Sequence, residues 1–286
     1  MLLNKILEEM GEEGILTGDM SFEKLSLVVA DFEERRLTFV DDPKYADSVP
    51  KNSLVMTTSE IAPLLGAKDI CICEKPRIIF FRIHNFLSGK DDYKRRHFIT
   101  QIGNDCIISP LAKIAENNII IGNNAIIEEF VSIKENTVIG NNCIIRAGSV
   151  IGGEGTQFMR DGEKILFVIH AGGVIIGNDV QIQHNSCIDC AVYPWDNTLI
   201  GDSVKVGSCV LIGHAVRIDA NVMIMSCSCI AGRVHVMKNS WIGPSVTIVN
   251  GITLGENSRV NIGSVAMKDV EEGGSITGNF YWKARQ

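Results

Sequence analysis

The chain has 286 residues, 45% of them hydrophobic, and a formal net charge of −7. That is enough apolar material for a substantial core and enough length for two domains, while the acidic balance offers no broad basic field to a nucleic acid. The long apolar stretches are interrupted by Asn, Gly and charges, which leaves no membrane span, and the amino-terminal LLNKILEEM lacks a secretory cleavage site.

Residues 2 to 10 read as a short amphipathic helix. Strand-like runs follow with turn signals between them: LSLVVADF (25–32), LTFV (37–40), SLVMTT (53–58), DICIC (69–73) and RIIFFRI (77–83). Together they make a small α/β domain over residues 1–95. Its last part belongs to the polar segment SGKDDYKRRHF (88–98), the best linker, whose KRR run reads as a solvated charged surface.

A different rhythm then takes over. Isoleucine returns every sixth residue at Ile102, Ile108 and Ile114, and after one seven-residue step from Ile121 through Ile127, Ile133, Ile139 and Ile145 to Ile151. The beat resumes at Ile200 and runs through Val206, Ile212, Ile218, Ile224 and Ile230 as far as Val260. Six fits neither the 3.6 of a helix nor the alternation of a strand. Gly, Asn and Asp crowd the positions after each isoleucine, and these residues tolerate left-handed backbone angles. Each hexapeptide is therefore one short strand plus one corner, and three faces close a coil of about eighteen residues with the aliphatic side chains stacked inside. The fold class is mainly β: a parallel β-helix over residues 96–265, ending in a segment 266–286. Two excursions, at 152–173 and 189–197, break the beat and emerge as loops, where binding residues concentrate. Their aromatic Phe158, Tyr193 and Trp195 point to binding.

His214, in VLIGHAVRI, lies two positions past the inward Ile212 and so at a corner. Gly232 comes eighteen residues later, one coil on, which puts its backbone N–H about 5 Å along the axis. An imidazole beside a fixed backbone donor is the minimum equipment for acyl transfer, one taking a proton and the other binding an oxyanion. His184 occupies the same position of an earlier repeat and is a cleft candidate. The nine cysteines are scattered, which fits reduced thiols in the cytoplasm. Cys187 and Cys190 form a CxxC with no second pair, so no metal site is expected.

These repeats resemble the left-handed hexapeptide β-helix family, from which the handedness is taken. More closely, the chain resembles the UDP-3-O-acylglucosamine N-acyltransferases and related nucleotide-sugar N-acyltransferases. The likeness rests on LTFVDDPKY (37–45), IGGEGTQF (151–158), TLIGDSVKVG (198–207), the IGH of His214 and the AG of Gly232, in family order. It implies a nucleotide-binding amino-terminal domain in which Phe39 and Tyr45 hold the pyrimidine ring and Asp42 meets its edge. It also implies His214 as general base, Gly232 N–H as oxyanion donor, and a homotrimer with active sites between adjacent β-helices. Asp42 stands where the family has Asn. Gly207 stands where an acidic residue is common, and Asp196, one nominal coil before His214, is the expected substitute partner of the imidazole. A second family histidine falls on Gly251 by count.

The sequence stops at Gln286 without the helical arms that engage acyl carrier protein in the lipid A enzymes. Its closing segment (261–285) is similar to that of coenzyme A-dependent hexapeptide acyltransferases, with Lys268, Gly278 and Asn279 in their usual places. The expected reaction is transfer from acyl-CoA, with no permanently bound cofactor, to the amine of a nucleotide-linked amino sugar. The alternatives are the lipid A enzyme itself, fed by acyl carrier protein, and a non-catalytic scaffold.

Overall fold

The computed structural model describes residues 1–30 and 33–278. They form two compact units, one of residues Met1–Lys94 with Thr156–Ile169 and one of Arg95–Gly155 with His170 onward.

The first unit opens with α1 (Leu3–Met10), whose Leu3, Ile6 and Leu7 are buried, and continues with β1 (Ile15–Thr17), β2 (Lys24–Leu25), β3 (Arg36–Val40), β4 (Ser53–Thr57) and β5 (Ile70–Ile72). The sheet order is β1-β5-β4-β3-β2, with β2 to β5 mutually parallel and β1 antiparallel to β5. Two expectations fail here. RIIFFRI is not a strand but the first half of α2 (Pro76–Ser88). Its buried Ile79, Phe80, Ile83, His84 and Leu87 recur at helical spacing, and Pro76 opens the helix where a missing N–H costs nothing. Of LSLVVADF, residues 31 and 32 lie outside the described residues, and among the described ones strand is found only at Leu25, because the chain turns at once, with Ala30 N bonding Leu27 O at 3.1 Å. Arg36 fixes that turn by donating to Ala30 O at 2.6 Å.

The second unit is the left-handed parallel β-helix. Its strands form three parallel sheets of nine, eight and eight members. On one face Ile121, Ile139, Ile176, Ile200, Ile218, Val236 and Leu254 pair in register from coil to coil, and all are buried. The residue three after the inward aliphatic takes positive φ: Asn124, Asn142, Asp179, Asn221, Asn239 and Asn257 do so at 56–61°. Amide side chains then cap the next corner, as Asn123 N donates to Asn141 Oδ1 at 2.8 Å and Asn141 N to Asn178 Oδ1 at 2.9 Å. This accounts for the Asn-Asn corners, since the short amide tolerates the left-handed region and also replaces a missing backbone partner.

The excursions lengthen particular coils. Ile151 pairs with Ile188 and Ile188 with Ile212, so the coil count is restored only after the extra residues have been accommodated. Within 152–173, Phe158–Asp161 and Lys164–Phe167 form an antiparallel hairpin that belongs to the first unit, with Asp161 paired to Arg82 and Lys75. The 88–98 segment is mostly exposed and contains the boundary between the units at Lys94 and Arg95, but two of its residues are engaged. Tyr93 is buried and bonded to His84 Nδ1 at 3.0 Å, and Arg95 donates through Nη2 to Asp196 O at 2.6 Å and Asn197 Oδ1 at 2.7 Å.

Candidate active site

His214 follows the strand Leu211–Ile212, of which Ile212 is buried, and its ring lies over Gly232 of the next coil. A β-carbon at position 232 would stand 2.4 Å from His214 Nε2, so only glycine leaves room for the imidazole. The corner is locked by Arg233 N donating to His214 O at 2.9 Å. At comparable corners the N–H is taken by the next coil's side chain, as Ser208 N is by Ser226 Oγ at 3.2 Å. Here Asn250 turns its amide onto Gly232 O at 2.8 Å instead, and among the described residues Gly232 N–H has no acceptor. The donor is thereby left for a ligand oxygen.

Burial, with Arg233 and His170 adding to it, drives the His214 imidazole down to about 4, so it is neutral at pH 7 and able to accept a proton. Its Nδ1 is buried without a hydrogen-bond partner among the described residues.

Sequence reasoning passed over two neighbours. His170, from the first excursion, meets His214 edge-on with ring centroids 5.6 Å apart. Asp189 is buried, and burial pushes its carboxyl up to about 6. A β-carbon at Gly155 would lie 2.8 Å from Asp189 Oδ2 and 3.0 Å from His170 Nε2, so both side chains close over that glycine. Asp189 O accepts from Thr198 Oγ1 at 2.6 Å, which accepts from Ala215 N at 2.9 Å and so fixes the residue after His214. Beside them lies a cavity of about 490 Å³, lined by His170, Cys190, Glu154, Lys134 and the backbone of Gly152 and Gly153. The only early signal for His170 was its place in an excursion.

The other expected residues scatter. Asp196 does not partner His214: its Oδ1 accepts from Asn197 N at 2.8 Å and its Oδ2 faces Arg233 at 3.9 Å. His184 stands at a different edge of the prism, exposed, 3.8 Å from Glu128 Oε2, because its strand belongs to another sheet than the strand before His214. Tyr193 is no binding aromatic but a buried plug stacked on Trp195 at 5.5 Å, whereas Phe158 is exposed. The Cys190 thiol is pushed up to about 12 and the Cys187 thiol to about 11 by burial, so both are packed thiols rather than nucleophiles.

In the first unit, Phe39 and the turn at 41–48 lie at the carboxyl end of the parallel strand β3, the edge where open α/β sheets bind ligands. Phe39 packs on Phe80 at 5.0 Å and under the Arg77 guanidinium at 5.3 Å. Asp42 caps the following 3₁₀ turn through Lys44 N at 3.1 Å and pairs with Lys44 Nζ at 2.7 Å, while Tyr45 is exposed. Lys268 is exposed in the last coil, between Val265–Ala266 and Ser275–Ile276, Gly278 N donates to Ser264 Oγ at 2.9 Å, and Asn279 lies outside the described residues.

Residues 118–153 match the family described as bacterial transferase hexapeptide (six repeats). UDP-3-O-acylglucosamine N-acyltransferase 2 of Legionella pneumophila strain Philadelphia 1 is 47% identical over 79 residues, 28% of this chain and 22% of that protein. The UDP-3-O-acylglucosamine N-acyltransferase of Coxiella burnetii strain Dugway 5J108-111 is 26% identical over 218 residues, 66% of this chain and 63% of that one. The chain therefore spans less than two thirds of the length of these relatives. Among solved structures, a UDP-N-acetylglucosamine acyltransferase from Campylobacter jejuni superposes with a TM-score of 0.56 at 22% identity, covering 63% of this chain and 68% of that one. That from Bacteroides fragilis 9343 gives 0.53 at 20% identity, covering 63% and 67%. These two likenesses bear on the fold alone. The chain is a hexapeptide-repeat, left-handed β-helix protein similar in sequence to the UDP-3-O-acylglucosamine N-acyltransferases.

Proposed function

We propose that this protein is an N-acyltransferase that moves an acyl group from a thioester to the amine of a UDP-linked 3-O-acylglucosamine. The observation that carries the reading is the neutral His214 imidazole packed over Gly232, whose N–H is spare. The amine attacks the thioester carbonyl, and the oxygen gathers charge against Gly232 N–H. The C–N bond forms as His214 takes the amine proton, the C–S bond breaks, and the proton returns to the departing thiol. A base at about 4 is weak by itself. The charge it acquires is balanced by the oxyanion beside it, so the two groups act as one unit.

The names of the relatives favour this acceptor over amino-sugar nucleotides at large, and with it the lipid A reading; the thioester, on acyl carrier protein or on coenzyme A, is what the test below decides. The pyrimidine is assigned to Phe39, Asp42 and Tyr45 on the strength of their place at the carboxyl edge of the sheet. Exposed apolar side chains on the outer faces of the coils, including Ile120, Ile175, Leu211 and Met223, support assembly into a homotrimer. Nine free thiols support a cytoplasmic place. Among the described residues no helix is long and apolar enough to cross a membrane.

The test is product mass after incubation of the protein with UDP-3-O-acylglucosamine and either acyl carrier protein or acyl-CoA thioesters. His214→Ala should lower kcat by about 10² to 10⁴ while UDP binding survives. Turnover at the wild-type rate in that variant would remove the base, and no product with either donor would remove the reaction and favour the scaffold.

A further inference from the structure

A second cleft in the β-helix unit takes no part in the chemistry above. Its volume is about 410 Å³, and its lining includes Arg95, Arg96, Phe98, Asn118, Asn136 and Trp195. Such a size accommodates a nucleotide-scale ligand. Among the described residues no carboxylate lines it, so Arg95 and Arg96 give it a positive character in a chain whose net charge is −7.

Each wall has a distinct character. Arg95 spends Nη2 on Asp196 O and Asn197 Oδ1, but its Nε is buried and has no hydrogen-bond partner among the described residues. A buried donor of that kind costs free energy until an acceptor reaches it. Arg96 is exposed and forms no ion pair among the described residues. Trp195 is held parallel, at 4°, by the buried ring of Tyr193 and makes a rigid flat wall. Asn118 and Asn136 are tied to each other at 3.1 Å, which fixes an amide edge. Guanidinium forks match phosphate oxygens, and a braced indole offers a face to a planar ring.

We infer that this cleft is a nucleotide-phosphate site, in which Arg96 holds phosphate oxygens, Arg95 adds positive charge to the wall and Trp195 lies against a planar heterocycle. The inference deepens the acyl-transfer reading by giving one substrate's nucleotide a place, and it rests on that reading only for the choice of probes. Coenzyme A carries an adenosine bisphosphate of this chemistry; the acceptor's uridine diphosphate, whose ring is assigned above to Phe39, Asp42 and Tyr45, is the second source, and its binding through Arg96 would move that ring here.

Titration calorimetry on the full chain, with UDP and separately with adenosine 3′,5′-bisphosphate, separates them. One of the two should bind, and Arg96→Ala should weaken it about tenfold, the usual worth of a charge-assisted hydrogen bond. Arg96→Glu should weaken it further, and both losses should shrink as salt rises. Because Arg96 is exposed, neither variant should alter the fold, and an unchanged melting temperature checks this. Nucleotide affinity unaltered in both variants, or no binding of either nucleotide by the wild type, overturns the site. An inactive protein that still binds a nucleotide through Arg96 would retire the acyl-transfer reading and keep this one.

Discussion

Two corners of the β-helix follow the same six-residue rule to opposite ends. At Asn123 each backbone N–H is taken by the amide of the next coil, Asn141 and then Asn178, so the corner is a closed ladder. At His214 the next coil brings Gly232, which has no side chain to give and leaves its own N–H without an acceptor among the described residues. The closed ladder stabilises. The open one supplies a base and a donor side by side. Reactive equipment therefore appears where the repeat withholds its own capping residue.

That contrast can be broken most strongly from the closed side. Ile145 is fully buried and stacked between Ile127 and Ile182, so Ile145→Ala should cost about 2–5 kcal/mol of stability while turnover per folded molecule stays constant. Denaturant unfolding checks the first part and active-site titration the second. Gly232→Ala should do the reverse. Gly232 is outside the left-handed region, so alanine suits the backbone, but its methyl would push the imidazole aside. A kcat loss of about 10²-fold with little change in melting temperature is expected.

A smaller effect sharpens the ladder itself. Asn141→Ala removes the acceptor of Asn123 N at an exposed corner and should cost about 1 kcal/mol, measured by urea unfolding.

The subtlest prediction concerns pH. Asp189, raised to about 6, holds its proton more tightly folded than unfolded, so its favourable contribution is complete at low pH and lost as pH rises through about 6. His214, lowered to about 4, has the opposite sign: stability is lost as pH falls from about 6.5 toward 4. The two slopes oppose each other in the same window. Asp189→Asn removes one of them, so its melting temperature should fall more steeply on acidification than that of the wild type. Parallel curves from pH 4.5 to 7 would contradict the assignment.

The β-helix and the pairing of His214 with Gly232 were legible because, in an uninterrupted stack, eighteen residues of sequence is one coil of structure. The same counting misled at Asp196, eighteen before His214, because the coil from Ile188 to Ile212 contains the 189–197 loop. Asp189 and His170 escaped for the same reason, since loop closure rather than period brings them to the site. RIIFFRI escaped differently: an apolar run that short carries helical and strand readings alike, and packing against its own sheet decides. The charge run at 94–96 hid a structural Arg95 because charge pattern says nothing about which carbonyls await a donor.

Each coil of the stack leans only on the coils before and after it, the condition for one-dimensional mechanics. Pulled from its carboxyl-terminal end, the β-helix should come apart as a thread unwinds from a spool. Each regular coil, such as that from Ile230 to Ile248, releases about 60 Å of extended chain. The coil from Ile188 to Ile212 would release more, and that from Ile151 to Ile188 more again. A single-molecule force trace would then carry the position of the site as two overlong steps in an otherwise even series.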